Sequence, residues 1–182
     1  MSGPTLHLDL SRDARRSYIH AFLLALLDAE RRAAVEGMLA TCGLPDRHHH
    51  DLGEVLESIA GLAVSERVKG DLRAIYGILA SAEAQVHGCP LEATHFHEVG
   101  NAASIRSSLG ICLAIEALDP KKISATPVQV GSGTVRCAHG LLSVPAPATA
   151  AILASGVEVC EERLAGELCT PTSAAIIKHF CF

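Results

Sequence analysis

Apolar and polar residues alternate from Thr5 to Leu10, as they do in a short strand with one buried face. After Asp13 the apolar positions recur at helical spacing, and this helical region ends at Gly43-Leu44-Pro45. Two further helices are predicted, at 52–60 after the N-cap residue Asp51 and at 66–87 after the N-cap residue Ser65. The pattern therefore predicts one strand followed by a run of helices.

The second half of the chain mixes strand-like and helical segments. The predicted segments are a helix from Asn101 or Ser104 to Leu118, a strand at 123–130, a turn at 131–133, an extended segment at 134–139, and helices at 147–154 and 171–180. The strand and the extended segment are expected to form a hairpin or a tight loop. Tryptophan is absent and aromatic residues make up only 3%, which suits helices packed closely on a small sheet. We therefore predict an α/β fold with a small sheet, several helices and a helix-rich N-terminal half.

Length and charge exclude several classes of protein. With 182 residues we expect one domain, with a helix-rich part at 1–92 and an α/β part at 93–182. A net charge of −5 provides no basic stripe for nucleic acid. The early apolar run 21–27 is too short to span a membrane, and charges replace the apolar core of a signal peptide, so we expect a cytoplasmic protein. Seven cysteines without a C-x-x-C pair argue against a disulfide framework and a zinc ribbon.

The densest candidate for chemistry is His95-Phe96-His97-Glu98. An extended backbone points alternate side chains the same way, so His95 and His97 are a candidate half of a metal site. Glu98 points to the opposite face of a regular strand, so it is expected to orient a ligand or to place a negative charge at the N-terminus of the next helix. The alternative is a polar strand end that caps the next helix.

Two other segments carry metal-binding residue types. Cys137 and His139 are spaced so that an extended chain presents a thiolate and an imidazole together, a set that nickel and zinc both accept. The alternative is a buried small Cys137 and a His139 bonded to a backbone carbonyl. The run His48, His49 and His50 lies in a polar link at 46–51, either as an auxiliary metal loop or as a solvated linker.

Two segments are candidates for phosphate binding. The turn Gly131, Ser132 and Gly133 offers backbone amides that can form an anion-binding nest, and Thr170 and Thr172 open a predicted helix whose first amides favour a phosphate. Each has a structural alternative, a hairpin turn and an ordinary helix cap.

Three sequence blocks, VHGCPLEATHFHEVG, VGSGTVRCAHGLLSVPAPATAAIL and GELCTPTSAAI, resemble the signature blocks of the LarC-type nickel-insertion proteins. The resemblance implies a nickel chelatase (a cyclometallase of the lyase class), which inserts nickel into pyridinium-3,5-bisthiocarboxylic acid mononucleotide with CTP and a divalent cation to make the nickel-pincer cofactor. It implies His95, His97 and His139 as nickel ligands, with Cys137 as a soft ligand and Glu98 as orienting partner or proton acceptor.

The chain also departs from the family pattern. Asp9 and Ser11 are retained, but the glycine-containing loop that the family usually has after its first strand is replaced. Ala103 and Ser107 stand where acids are usual, and Ser173 stands where glycine is usual. The family's C-terminal region is not part of this sequence, so we expect either a separate partner chain or lost catalysis. Three functions stay open: nickel insertion with that partner, a non-catalytic nickel-binding or storage module, and a structural or interaction domain without metal. Zinc in place of nickel and a homo-oligomer also stay open.

Overall fold

The computed structural model describes residues 4–96, 99–137 and 140–182. The helices are α1 (Arg16–Ala25), α2 (Ala29–Thr41), α3 (Leu52–Ala60), α4 (Glu66–His87), α5 (Ala102–Leu118), α6 (Pro147–Leu153) and α7 (Pro171–Cys181), with a short 3₁₀ helix at Leu91–Ala93. The strands are β1 (Thr5–Leu8), β2 (Lys122–Ala125), β3 (Gly131–Ser132), β4 (Thr134–Cys137), β5 (Gly140–Ser143) and β6 (Gly166–Glu167). The predicted helix-rich α/β fold is confirmed.

The helix α4 is central to the packing, because it contacts α3, α5, α6 and α7. A stripe of Val68, Leu72, Ile75 and Leu79 is fully buried on it, and the ring of Tyr76 is buried beside them. The helix α5 is apolar on nearly all sides and is correspondingly buried from Ser108 to Ile115. One hydrophobic cluster thus connects β1, the central helices and α7.

Helix caps explain why most predicted boundaries are correct. The helices at 52–60 and 66–87 are confirmed with these bounds, because the side chains of Asp51 and Ser65 accept the backbone N–H groups three residues later. Asn101, rather than Ser104, caps α5. The helical region after Asp13 is two helices, because Asp28 caps a second one by accepting from the Arg31 amide at 2.8 Å.

The predicted strand pairing in the second half was wrong. Strand β2 ends at Ala125, before Pro127, and pairs in parallel with β1. The hairpin is instead formed by β4 and β5, which places Thr134 opposite Ser143. The segment Gly131–Ser132, predicted as a turn, is strand β3 and pairs antiparallel with β6. A Cβ on Gly131 would lie 1.8 Å from the carbonyl oxygen of Gly166, so this close pairing requires glycine.

In the described part of the chain, no helix has the length and apolar character needed to cross a membrane.

Candidate functional site

A cavity of about 510 Å³ lies where the motif-bearing segments meet the first turns of several helices. Small-molecule sites have volumes of roughly 300–1,000 Å³, so the cavity is large enough for a nucleotide-sized ligand. The starts of α1, α5, α6 and α7, the last turns of α4 and the hairpin β4–β5 all contribute to its walls. Lining residues that bear on function are Arg16, Glu83, His87, Val99, Asn101, Ser104, Arg136, Cys137, Glu167, Thr170 and Thr172.

The first turn of α7 forms one part of the wall. Thr170 caps this helix, since its hydroxyl accepts the Ser173 amide at 3.3 Å and lies 3.0 Å from the Ser173 hydroxyl. Thr172 is only 2% exposed and lines the cavity, and its hydroxyl makes no hydrogen bond with the described residues. Both threonines predicted to bind phosphate therefore line the cavity, and the serine at position 173 is accommodated by its bond to the cap.

Arg16 is a cavity residue that was not predicted as a site residue. It is the first residue of α1, and its Nη1 donates to the carbonyl oxygen of Ser104 at 3.2 Å and to its hydroxyl at 2.7 Å. Burial lowers the pKa of the half-buried guanidinium, and no carboxylate among the described residues forms an ion pair with it. The sequence shows Arg16 only as one of a basic group with Arg12 and Arg15, so nothing in it distinguishes the one that turns inward.

The segment after the predicted metal motif is held at the cavity by a buried tyrosine. Tyr76 is fully buried and donates its hydroxyl to the carbonyl oxygen of Val99 at 3.0 Å. Its burial raises the pKa of that hydroxyl, so it stays protonated and can donate. On the wall formed by α4, Glu83 lies 3.4 Å from the Nε2 atom of His87.

The predicted metal ligands are only partly covered by the structure. His97, Glu98 and His139 lie outside the described residues. Cys137 is half-buried and lines the cavity, while His95 is exposed and its backbone forms an isolated bridge with Asp51. Over residues 4–96, 99–137 and 140–182, no three His, Cys, Asp or Glu side chains come close enough to hold a metal ion. The proposed convergence of His95, His97 and His139 stays a prediction.

The histidine run at 48–50 does not form an open loop, because it packs against Phe96 and Gly100, which belong to the block that carries the predicted metal ligands His95 and His97. His49 is fully buried, and its Nδ1 and Nε2 atoms lie 3.0 Å from the carbonyl oxygen of Gly100 and 2.7 Å from the hydroxyl of Ser58. A carbonyl oxygen only accepts, so Nδ1 carries the proton and Nε2 accepts from Ser58. His48 donates from Nε2 to the carbonyl oxygen of Phe96 at 2.9 Å, and the exposed His50 ring lies against the His48 ring.

In this arrangement both nitrogens of His49 and one nitrogen of His48 are used by protein groups. These two imidazoles therefore position the segment that carries Phe96 and Gly100. A Cβ on Gly100 would lie 1.9 Å from the carbonyl oxygen of His49, so only glycine permits this contact.

The other predicted anion-binding groups lie away from the cavity wall. None of Gly131, Ser132 and Gly133 is among the described residues that line it. The Gly131 amide donates to Gln129 Oε1 at 3.0 Å, and the Ser132 hydroxyl donates to the carbonyl oxygen of Leu164 at 2.9 Å. This segment reaches the cavity through its partner strand, where Glu167 lines the wall.

Asp9 organises the turn that follows β1. Its Oδ1 atom accepts from the hydroxyl of Ser11 at 2.6 Å and from the amide of Ser11 at 3.0 Å. These bonds to Ser11 lower the pKa of the Asp9 carboxyl.

Comparison with known proteins identifies the class to which this fold and cavity belong. The model of the nickel insertion protein family matches residues 10–182, and the chain belongs to that family. The resemblance drawn from the three sequence blocks is thereby confirmed.

Individual relatives carry a more specific name. The chain is 37% identical over 180 residues to the pyridinium-3,5-bisthiocarboxylic acid mononucleotide nickel insertion protein of Staphylococcus saprophyticus, covering 94% of this chain and 45% of that protein. It is 41% identical over 133 residues to the protein of the same name from Desulfitobacterium hafniense, covering 73% and 33%. It is 42% identical over 130 residues to the protein of the same name from Geobacillus kaustophilus, covering 71% of this chain and 31% of that protein. The chain thus spans less than half the length of these relatives. No solved structure matches it.

Proposed function

We propose that this chain handles nickel for insertion into a pyridinium thiocarboxylate mononucleotide, and that the cavity is where the mononucleotide binds. The observation that carries the proposal is that separate motif blocks meet at one cavity within a chain that matches the nickel insertion family over residues 10–182. Val99, Cys137 and Thr170 come from three different blocks, and each of them lines that cavity.

The nickel ligands in this proposal are His95, His97 and His139, with Cys137 as a soft ligand. Imidazole and thiolate suit a borderline divalent metal, and zinc accepts the same donors. Val99 follows the first pair of histidines in sequence, and Cys137 precedes His139 by two residues. The lining positions of Val99 and Cys137 support a metal site that opens into the cavity. Glu98 is proposed to orient a ligand imidazole or to act as a proton acceptor.

Nickel retention tests the metal site directly. The purified protein is equilibrated with nickel or with zinc, dialysed, and its metal content is counted per chain. We expect about one nickel per chain, and a loss of about 10-fold or more in affinity for His95→Ala, His97→Ala and His139→Ala. His7→Ala is the matched control, because His7 is exposed on β1 and its side chain bonds, within the described residues, only to the Ser124 hydroxyl at 3.0 Å. Equal retention by all four variants, or no retention by the parent protein, contradicts the site and favours a structural domain.

Insertion itself is tested with the thiolated mononucleotide, nickel, CTP and magnesium. The part of a relative that this chain does not span is supplied as a separate polypeptide in one arm and omitted in the other. We expect nickel-bearing mononucleotide, detected by mass spectrometry, when both polypeptides are present. Product that is absent from both arms, although nickel is retained, contradicts insertion.

A second candidate is a nickel-binding or storage module without CTP chemistry. The observation that favours it is the first turn of α5, which carries no acidic residue, with Ala103 there and Ser107 in the next turn. Acidic side chains there are what a divalent cation bound to a nucleotide would use. This candidate predicts nickel retention with no product in either arm, and it also predicts that CTP leaves the nickel affinity unchanged.

A further inference from the structure

Arg16 occupies a position that is unfavourable for a cation in the protein alone. It is the first residue of α1, whose N-terminus has no side-chain cap and no acidic residue in its first turn. The positive end of a helix dipole disfavours a cation there, by about 0.3–1 kcal/mol at exposed sites. The guanidinium is also half-buried, so that burial lowers its pKa. A bound anion would offset both effects.

The position of the Arg16 guanidinium is fixed from one side only. Its Nη1 atom donates to the carbonyl oxygen and the hydroxyl of Ser104, which lies in the first turn of α5. A guanidinium carries five N–H donors, and the Arg16 side chain makes no other hydrogen bond with the described residues. The remaining donors lie on a side chain that lines the cavity.

The first turn of α7 provides a second, independent group at the same cavity. Thr172 lines the wall, is 2% exposed, and its hydroxyl has no partner among the described residues. The α7 helix has eleven residues, and Thr170 already satisfies the amide of Ser173. Among the described residues the fully buried side-chain nitrogen and oxygen atoms without a partner are His20 Nε2 and Thr149 Oγ1, so the Thr172 hydroxyl is not one of them. A phosphate oxygen in the cavity would accept its proton.

The other charged residues that line the cavity are Glu83, Glu167 and Arg136. Two glutamates line it, and Glu83 lies beside His87 on the wall formed by α4. Arg136 is itself exposed on the hairpin β4–β5, so its charge is screened by solvent. Arg16 is thus the cation at this cavity that is both half-buried and without a carboxylate partner among the described residues.

We propose that Arg16 and the Thr172 hydroxyl form a phosphate subsite of the cavity, which takes the phosphate monoester of a pyridine mononucleotide. The subsite rests on the proposed function only for the choice of mononucleotide. Arg16 is its specificity residue, because a guanidinium binds two phosphate oxygens at once. The Gly131–Gly133 segment, a candidate from sequence, takes no part in it.

The test measures how strongly the protein distinguishes a nucleotide from its dephosphorylated form. Nicotinate mononucleotide and nicotinate riboside are titrated by calorimetry into the full chain and its variants, without metal. Arg16→Met keeps the length of the side chain and removes its charge. It should lower the nucleotide affinity by about 10- to 100-fold and change the riboside affinity by less than about 3-fold. The nucleotide affinity of Arg16→Lys should lie between those of the parent protein and Arg16→Met, because lysine keeps the charge without the paired donors.

Arg12→Met is the matched control, because it removes the same charge from a nearby exposed residue that does not line the cavity. It should leave both affinities unchanged. Thr172→Val keeps the side-chain shape and should lower only the nucleotide affinity, by about 5- to 10-fold. It decides the matter if thermal melting shows that Arg16→Met does not fold.

Several results would overturn the subsite. An equal loss of nucleotide and riboside affinity in Arg16→Met would mean that Arg16 binds the carboxylate of the pyridine ring and not the phosphate. A loss with Arg12→Met as large as with Arg16→Met would reduce the effect to overall charge. CTP with magnesium is titrated in parallel, and a loss for CTP alone would assign Arg16 to the other nucleotide. Nicotinate mononucleotide and nicotinate riboside carry neither sulfur nor nickel, so this test is independent of the nickel experiments. A negative result for nickel transfer would not contradict the phosphate subsite, and a negative result for the subsite would not contradict nickel binding.

Discussion

Replacing His49 by alanine should destabilise the protein without removing a metal ligand. The imidazole is fully buried and joins Gly100, which follows the predicted metal segment, to Ser58 on α3. The two side-chain hydrogen bonds contribute about 0.5–1.5 kcal/mol each. Loss of the imidazole also leaves the Ser58 hydroxyl, which is 7% exposed, without its partner, and such a stranded group costs about 1–3 kcal/mol. We therefore expect His49→Ala to lower the free energy of unfolding by about 3 kcal/mol.

Urea unfolding followed by circular dichroism measures this change. His50→Ala is the matched control, because this neighbouring imidazole is exposed, and its substitution should cost less than about 0.5 kcal/mol. In a double-mutant cycle, Ser58→Ala added to His49→Ala should cost less than the sum of the two single changes, by about 1 kcal/mol. A loss below about 1 kcal/mol for His49→Ala, or a folded variant that has lost its nickel, would refute the structural role given to His49.

Three further predictions concern single positions. Gly100→Ala should lower the free energy of unfolding by about 3 kcal/mol, since its Cβ would lie 1.9 Å from a backbone oxygen. Gly70→Ala in α4 is the comparison: its Cβ would meet nothing within 4 Å, so it should raise the free energy of unfolding by about 0.5–1 kcal/mol. Urea unfolding measures both changes. Thr170→Ala should cost about 1 kcal/mol through loss of the α7 cap, measured in the same way. Burial lowers the pKa of His20 below 6.5, and its Nε2 atom has no partner among the described residues. As the pH falls, the unfolded chain therefore binds a proton at His20 at a higher pH than the folded chain does, so stability decreases below about pH 6.5. His20→Leu should make the melting temperature fall less steeply with decreasing pH. An unchanged dependence of melting temperature on pH would contradict this.

Local sequence signals predicted the helices well. The caps Asp51 and Ser65 act within four residues of themselves, so α3 and α4 were predicted with the bounds that the structure has. The strand pairing could not be predicted in this way. Strand β2 pairs with β1 across more than a hundred residues, and no local pattern near Thr5 or Lys122 specifies that register.

The candidate site divides along the same line. Thr170, Thr172 and Cys137 were predicted from local motifs, and all three line one cavity. Arg16 was missed because its inward orientation depends on α5, where Ser104 accepts its hydrogen bonds. The burial of His49 likewise depends on tertiary packing, which a run of three histidines does not reveal.

The measurement that bears most directly on nickel handling is the fate of nickel in a transfer experiment. The chain is loaded with nickel, freed of unbound metal, and mixed with the thiolated mononucleotide, CTP, magnesium and the remaining part of a relative. We expect nickel to leave the protein and to appear in the mononucleotide, one ion for each product molecule, and His97→Ala to prevent this while His7→Ala does not. Nickel that never binds the chain, or product that forms equally well without the chain, would contradict the proposed function.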